Sequence, residues 1–239
     1  MPDLQSVINQ SGPEAKTSIL YILDRSGSMQ SLTEAATTGF NEFIREQQKT
    51  SEEVDDARFS LVLFDDQYEM PHDDLPIQEV PELDTKTFVP RGSTALLDAI
   101  GKTLTDHHKR LQALPKEDRP ASTIVAIFTD GLENSSHEYT WKDISKLISA
   151  RRDQDGWEFL FLAANQDAIA TAGHLSIDRD SAATVAYSAF GMTSSSKAMS
   201  RKVRSTRISL KAKSQGIDAA APDYNTSLQD LVKEEEEKG

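Results

Sequence analysis

The sequence predicts a doubly wound, Rossmann-like α/β domain: a mainly parallel sheet with one antiparallel edge strand and helices on both faces. Three observations carry this. Short apolar runs at 17–24, 57–65, 123–128 and 157–163 are bounded by polar turns, the habit of strands buried on both faces. Stretches of helical spacing separate these runs, as in chains that alternate strand and helix. The first three runs end at acids, Asp24, Asp65 and Asp130. Polar chemistry therefore gathers at the carboxyl ends of the strands, the edge where open α/β sheets bind ligands.

Length and composition bound the answer. A chain of 239 residues can bury a sizeable core. It has no cysteine, which removes disulfides and thiolate metal ligands; this fits a reducing compartment and is also compatible with export. Residues 1–16 lack the basic-then-apolar pattern of a signal peptide, and no apolar run approaches the ~20 residues that span a bilayer. The expectation is a cytoplasmic protein without a membrane partner. With 39 acidic against 26 basic residues, the net charge of −13 disfavours nucleic acid and favours the gathering of cations.

Taken in order, residues 1–16 are polar, with Ser11-Gly12-Pro13, and read as a flexible leader. A strand from Thr17 to Asp24 follows. Leu32, Ala36, Phe40, Phe43 and Ile44 recur at helical spacing behind Thr33 as N-cap, which predicts a helix to about Lys49. The acidic stretch 51–56 reads as a solvated turn. After the strand at 57–65, Tyr68-Glu69-Met70 before Pro71 predicts a short antiparallel edge partner, since an edge strand tolerates proline. The stretch from His72 to Val89 is proline-spaced and reads as irregular.

Leu97, Ile100, Leu104 and Leu111 set the core face of a helix over 94–113. Further on, Trp141, Ile144, Leu147 and Ile148 predict a helix over 138–152, 165–173 a short helix closed by Gly173, and 183–188 a last strand. Trp141 and Trp157 read as core, His107 and His108 as helix surface. Residues 195–208 form a basic amphipathic segment, read within Lys197 to Lys213 as a solvated face answering the acidity of the rest. Beyond Lys211 the Ala/Pro-rich and polyglutamate text reads as disordered or loosely attached. This divides the chain into a leader at 1–16, a domain at 17–190 and a C-terminal extension at 191–239.

The chemistry concentrates in three loops. Asp24-x-Ser26-x-Ser28 places three hard oxygen donors at alternate positions of one tight loop, and a divalent cation is their natural occupant. Thr94 stands near a helix N-terminus, where a hydroxyl caps the helix or faces a ligand. Asp130 closes a buried strand. Taken singly, serines after a strand are often turn formers. Asp65, Asp66, Asp73 and Asp74 read as acidic surface turns rather than a second ion site. The five histidines show no metal-ligand spacing.

These five residues, on these elements and in this order, resemble the metal-ion-dependent adhesion site of von Willebrand factor type A domains. The resemblance runs roughly from Thr17 to Ser188. The stretches 24–29 (Asp-Arg-Ser-Gly-Ser-Met) and 90–100 (Pro-Arg-Gly-Ser-Thr-Ala-Leu-Leu-Asp-Ala-Ile) are similar to small stand-alone members from bacteria and phages. It implies Mg²⁺, with Mn²⁺ or Ca²⁺ as substitutes, at Asp24, Ser26, Ser28, Thr94 and Asp130. In the family the matching hydroxyls ligate directly to varying degrees, while the matching acids act through water or hydrogen bonds to the hydroxyls. The implied function is recognition of an acidic side chain on another protein, as an adaptor in a bacterial or phage complex.

Two rival readings stand beside it. An Mg²⁺-dependent phosphoryl-transfer hydrolase could use Asp24 as nucleophile, but haloacid-dehalogenase-like enzymes want a second aspartate where this chain has Ser26. The chain also lacks a phosphate-cradling Gly-x-x-x-x-Gly-Lys loop and a nucleophile elbow, so no enzymatic activity is expected. In the other, the metal only stiffens the loops of a structural subunit.

Overall fold

In a computed structural model, residues 16–164 and 168–238 are described. The expected leader, apart from Lys16, and the first residues of the helix expected from Asn165 lie outside them. Six strands, β1 (Lys16–Asp24), β2 (Asp56–Phe64), β3 (Tyr68–Pro76), β4 (Ser122–Thr129), β5 (Glu158–Ala164) and β6 (Ala182–Val185), form one sheet in the order β3-β2-β1-β4-β5-β6. All neighbours run parallel except β2 and β3. The chain leaves β1 to one side for β2 and later returns to its other side for β4. The crevice at the carboxyl ends of β1 and β4 is thus the switch point of the sheet.

Among the described residues six helices flank the sheet: α1 (Thr33–Glu53), α2 (Leu96–Ala113), α3 (Trp141–Asp155), α4 (Ala168–His174), α5 (Ala189–Ser214) and α6 (Leu228–Glu237). The alternation of β1 sorts them. Ile19, Tyr21 and Leu23 belong to the layer that holds Phe40 and Phe43 of α1, Met199 and Val203 of α5 and Leu228 and Leu231 of α6. Leu20 and Ile22 face the opposite layer, with Leu97 and Ile100 of α2, Ile144 and Ile148 of α3 and Ala168 and Ala172 of α4. Burial on both faces explains why these strands read as continuous apolar runs.

Several expectations are corrected. The edge strand is nine residues long and reaches into the stretch read as irregular. It admits Pro71 and Pro76 because it lies at the sheet's edge, with register shifts along its pairing to β2. The acidic turn at 51–56 is no solvated connection: α1 continues to Glu53, and Asp55 is buried. His107 is buried at 5% exposure, whereas Trp141 is 37% exposed. The basic segment is not a solvated face, since Lys202 and Arg207 are buried. Nor is the chain beyond Lys211 loosely attached, because α6 packs against β6 and α5 and buries Leu228, Leu231 and Val232 in the core.

The packing of α5 explains the miss. Its buried positions are largely small and polar, including Ser194, Ser195, Ser196, Ser200, Ser205 and Ser209. Such a face lets the helix lie against α1 at close range. A methyl at Gly39 would stand 2.3 Å from Ser196 Oγ, so only glycine fits there. Close contact therefore replaces hydrophobic bulk, and a hydropathy pattern does not reveal it.

Candidate metal site

β1 and β4 are neighbours with Leu23 opposite Phe128, so the residues that follow, Asp24 and Thr129, end side by side. Asp24 is fully buried. Its Oδ1 accepts the Ser26 N–H at 2.7 Å, which folds the loop back over the strand end. Its Oδ2 accepts the Thr129 hydroxyl at 2.6 Å. Ser26 Oγ lies 3.0 Å from Ser28 Oγ, and the Ser28 hydroxyl donates to Asp130 Oδ1 at 2.8 Å. The β1 and β4 loops are thereby stitched across 102 residues of sequence.

Thr94 enters from the third loop. It is 3% exposed; its N–H donates to Asn134 Oδ1, and its carbonyl accepts from the Asn134 and Ser135 N–H groups. A methyl built on Gly131 would stand 3.0 Å from Thr94 Oγ1 and 3.6 Å from Ser28 Oγ. The two hydroxyls thus flank a hollow that a Cβ would fill. Ser26 and Asp130 are linked to it through Ser28, and Asp24 through the Ser26 N–H; Asp24, Ser26, Thr94 and Asp130 are buried and Ser28 is exposed.

The electrostatics favour a cation. Burial pushes the Asp24 carboxyl up to about 6 against the hydrogen bonds from Thr129 and Ser26, and the Asp130 charge adds to the rise. Burial likewise raises Asp130, whose Oδ2 is buried with no hydrogen-bond partner. Two desolvated carboxyls, one with an unmet oxygen beside three hydroxyls, form the donor set of a small hard cation. Among the described residues no group of three or more His, Cys, Asp or Glu is arranged to hold a metal, so an ion here depends on the hydroxyls.

Sequence reasoning missed two parts of this site. Thr129 reads as an ordinary β-branched strand residue, yet its hydroxyl holds Asp24. Asp65, expected on a surface turn, is fully buried. It accepts from Arg25 Nε at 3.0 Å and Arg91 Nε at 2.8 Å, while Glu69 accepts from both guanidinium groups. Arg25 lies between Asp24 and Ser26, and Arg91 three residues before Thr94, so this network ties two donor loops to the β2–β3 turn.

The sheet order, the flanking helices and the loops at the switch point together make this a von Willebrand factor type A fold. Among solved structures, the chain is similar to a von Willebrand factor type A protein from Catenulispora acidiphila, with TM-score 0.51, 15% identity and coverage of 80% of this chain and 43% of that one. Proximal thread matrix protein 1 from the mussel byssus, solved with a zinc-occupied MIDAS motif, gives TM-score 0.51, 15% identity and coverage of 80% and 46%. The pilus adhesin SpaC from Lactobacillus rhamnosus GG gives 0.55, 14%, 82% and 31%. The chain thus spans less than half the length of each, and the likeness is one of fold. No protein-family model and no curated protein sequence matches the chain. Among the described residues no helix is long and apolar enough to cross a membrane.

Proposed function

We propose that the domain recognises a carboxylate on another protein through a divalent cation held by Asp24, Ser26, Ser28, Thr94 and Asp130. The observation that carries this reading is the buried Asp130 Oδ2, which has no partner on a carboxylate whose other oxygen accepts from Ser28, one of the two hydroxyls flanking the hollow. Mg²⁺ suits the set, since it takes oxygen ligands in octahedral array at about 2.0–2.1 Å and keeps several waters. A shell built largely of neutral hydroxyls leaves the ion electrophilic, so an incoming aspartate or glutamate can displace a water.

Both oxygens of Asp24 are engaged, one by a backbone N–H and one by the Thr129 hydroxyl, which supports a positioning role over a nucleophilic one. The test is calorimetric titration of Mg²⁺, Mn²⁺ and Ca²⁺ into wild-type protein and Asp130→Ala, followed by capture of host proteins in Mg²⁺, in EDTA and with Asp24→Ala. The expected result is loss of metal binding in the variant with unchanged circular dichroism, and a partner retained only by wild type in Mg²⁺. Unchanged metal affinity in Asp130→Ala would refute the site. A partner held in all three captures would move the interface elsewhere.

A further inference from the structure

Among the described residues, large apolar side chains that are exposed are few: Val89, Leu132, Trp141, Tyr187 and Phe190, between 37% and 64% exposed. Four of the five lie on segments that are hydrogen-bonded to, or adjacent in sequence to, the loops forming the hollow described above. Val89 precedes a loop held against the β1 loop, with the Arg91 N–H on the Arg25 carbonyl at 2.9 Å and the Gly27 N–H on the Gly92 carbonyl at 3.2 Å. Leu132 stands two residues after Asp130. Tyr187 follows β6, and its hydroxyl donates to the Ser28 carbonyl at 2.5 Å. Phe190 lies three residues on, in the first turn of α5. Scattered exposed apolar residues need no explanation, but convergence on one edge of a chain that is 27% charged marks an interaction surface.

We infer that these residues form an apolar collar for a partner surface in which a single aspartate or glutamate is set among apolar side chains. The inference rests on the metal-bridged reading above. Charge decides against a polyacidic partner: a net charge of −13 repels one, and the nearby cations are already spent. Arg25 and Arg91 both donate to Asp65 and Glu69, which leaves the metal as the anchor for an anion. Apolar contacts around that point would exclude water and strengthen the central charge interaction.

The test pans a phage-displayed library of random peptides on Mg²⁺-loaded protein and elutes with EDTA. The expected eluate is enriched in aspartate or glutamate next to Leu, Ile, Val, Phe, Tyr or Trp. Leu132→Ser and Phe190→Ser, both at exposed positions, should each recover those phage about tenfold less well while binding Mg²⁺ with wild-type affinity. Polyacidic eluates, acids without apolar neighbours, or undiminished recovery by both variants would overturn the collar and leave the metal site standing. A protein that binds Mg²⁺ by calorimetry yet yields no EDTA-eluted phage would overturn the metal-bridged reading, and the collar with it.

Discussion

The Thr129 hydroxyl donates to Asp24 Oδ2 at 2.6 Å, joining two residues 105 positions apart at the ends of adjacent parallel strands. The hydrogen bond fixes the carboxylate that in turn holds the Ser26 N–H, so the geometry of the serine loop depends on a residue outside the motif. Thr129→Val keeps the shape and deletes the donor, leaving a buried carboxylate oxygen unmet. We expect a stability loss of about 1–3 kcal/mol in urea denaturation and weaker Mg²⁺ binding by calorimetry, with both restored in Thr129→Ser. Wild-type stability in the valine variant would contradict this account.

Asp65 is the matching support for the other side of the site. Its side chain receives Arg25 and Arg91, and its carbonyl accepts the Ala95 N–H at 2.9 Å, next to Thr94. Asp65→Asn withdraws the charge from two guanidinium groups, one of them 5% exposed. Glu69 still neutralises part of that loss, so the cost should fall near the lower end for a broken buried pair, about 3 kcal/mol in thermal or chemical denaturation. Mg²⁺ affinity should fall too, because the loops bearing Ser26 and Thr94 lose their common anchor. A destabilised variant with wild-type metal affinity would assign Asp65 to stability alone.

The five candidate residues stand out in the sequence because the fold forces a pattern on it. Strands buried on both faces are unbroken apolar runs, and polar residues at their carboxyl ends stand out against them. Thr129 gave no such contrast, since a β-branched residue at a strand's end satisfies the strand's own preference. His107 and Arg207 were misread for a different reason. Their partners, Ser18 and Asp55, lie 89 and 152 residues away, and a charged or polar residue on a helix looks solvated until the facing element is known. The edge strand itself is predicted, and its continuation past His72 escapes notice because acidic, proline-spaced text carries no apolar alternation. The face of α5 was hidden because so many of its buried positions are serine, alanine and glycine, and α6 because its three buried apolar residues are followed by a run of glutamates.

His107 carries a pH dependence whose sign can be worked out. Arg110 can only donate, so its contact at 2.7 Å makes His107 Nδ1 the acceptor and places the proton on Nε2, which faces Ser18 Oγ at 3.3 Å. Trp157 packs edge-on against the ring, with centroids 5.3 Å apart. Burial, then the charges of Arg110 and His108, lower His107 to about 3. The unfolded chain titrates near its ordinary value of about 6.5 and takes up the proton first. The stabilising contribution is therefore complete above that value and is lost as pH falls from about 6.5 towards 3, by up to about 1.4 kcal/mol per pH unit. Urea denaturation of wild type and His107→Leu across this range should show the steeper fall in wild type, and parallel curves would refute the assignment.

Arg207 anchors the far end of the molecule. Fully buried, it donates from Nε and NH2 to Asp55 Oδ1 at 3.0 and 2.7 Å, from NH1 to the Gln47 carbonyl and from NH2 to Ser51 Oγ. The Thr17 hydroxyl donates to the other Asp55 oxygen. One side chain of α5 thus closes the C-terminal turn of α1 and the amino ends of β1 and β2 together. Arg207→Met leaves Asp55 buried without its countercharge and should cost about 3–5 kcal/mol in chemical denaturation. Arg207→Met combined with Asp55→Leu should recover much of that loss, because the penalty belongs to the stranded charge more than to the missing pair. Thr17 and Asp24 are separated along β1 by about 23 Å at the usual rise per residue, so Mg²⁺ affinity should stay at the wild-type value in both variants. A parallel drop in metal affinity would instead mean that the buried pair sets the loops at the opposite edge of the sheet.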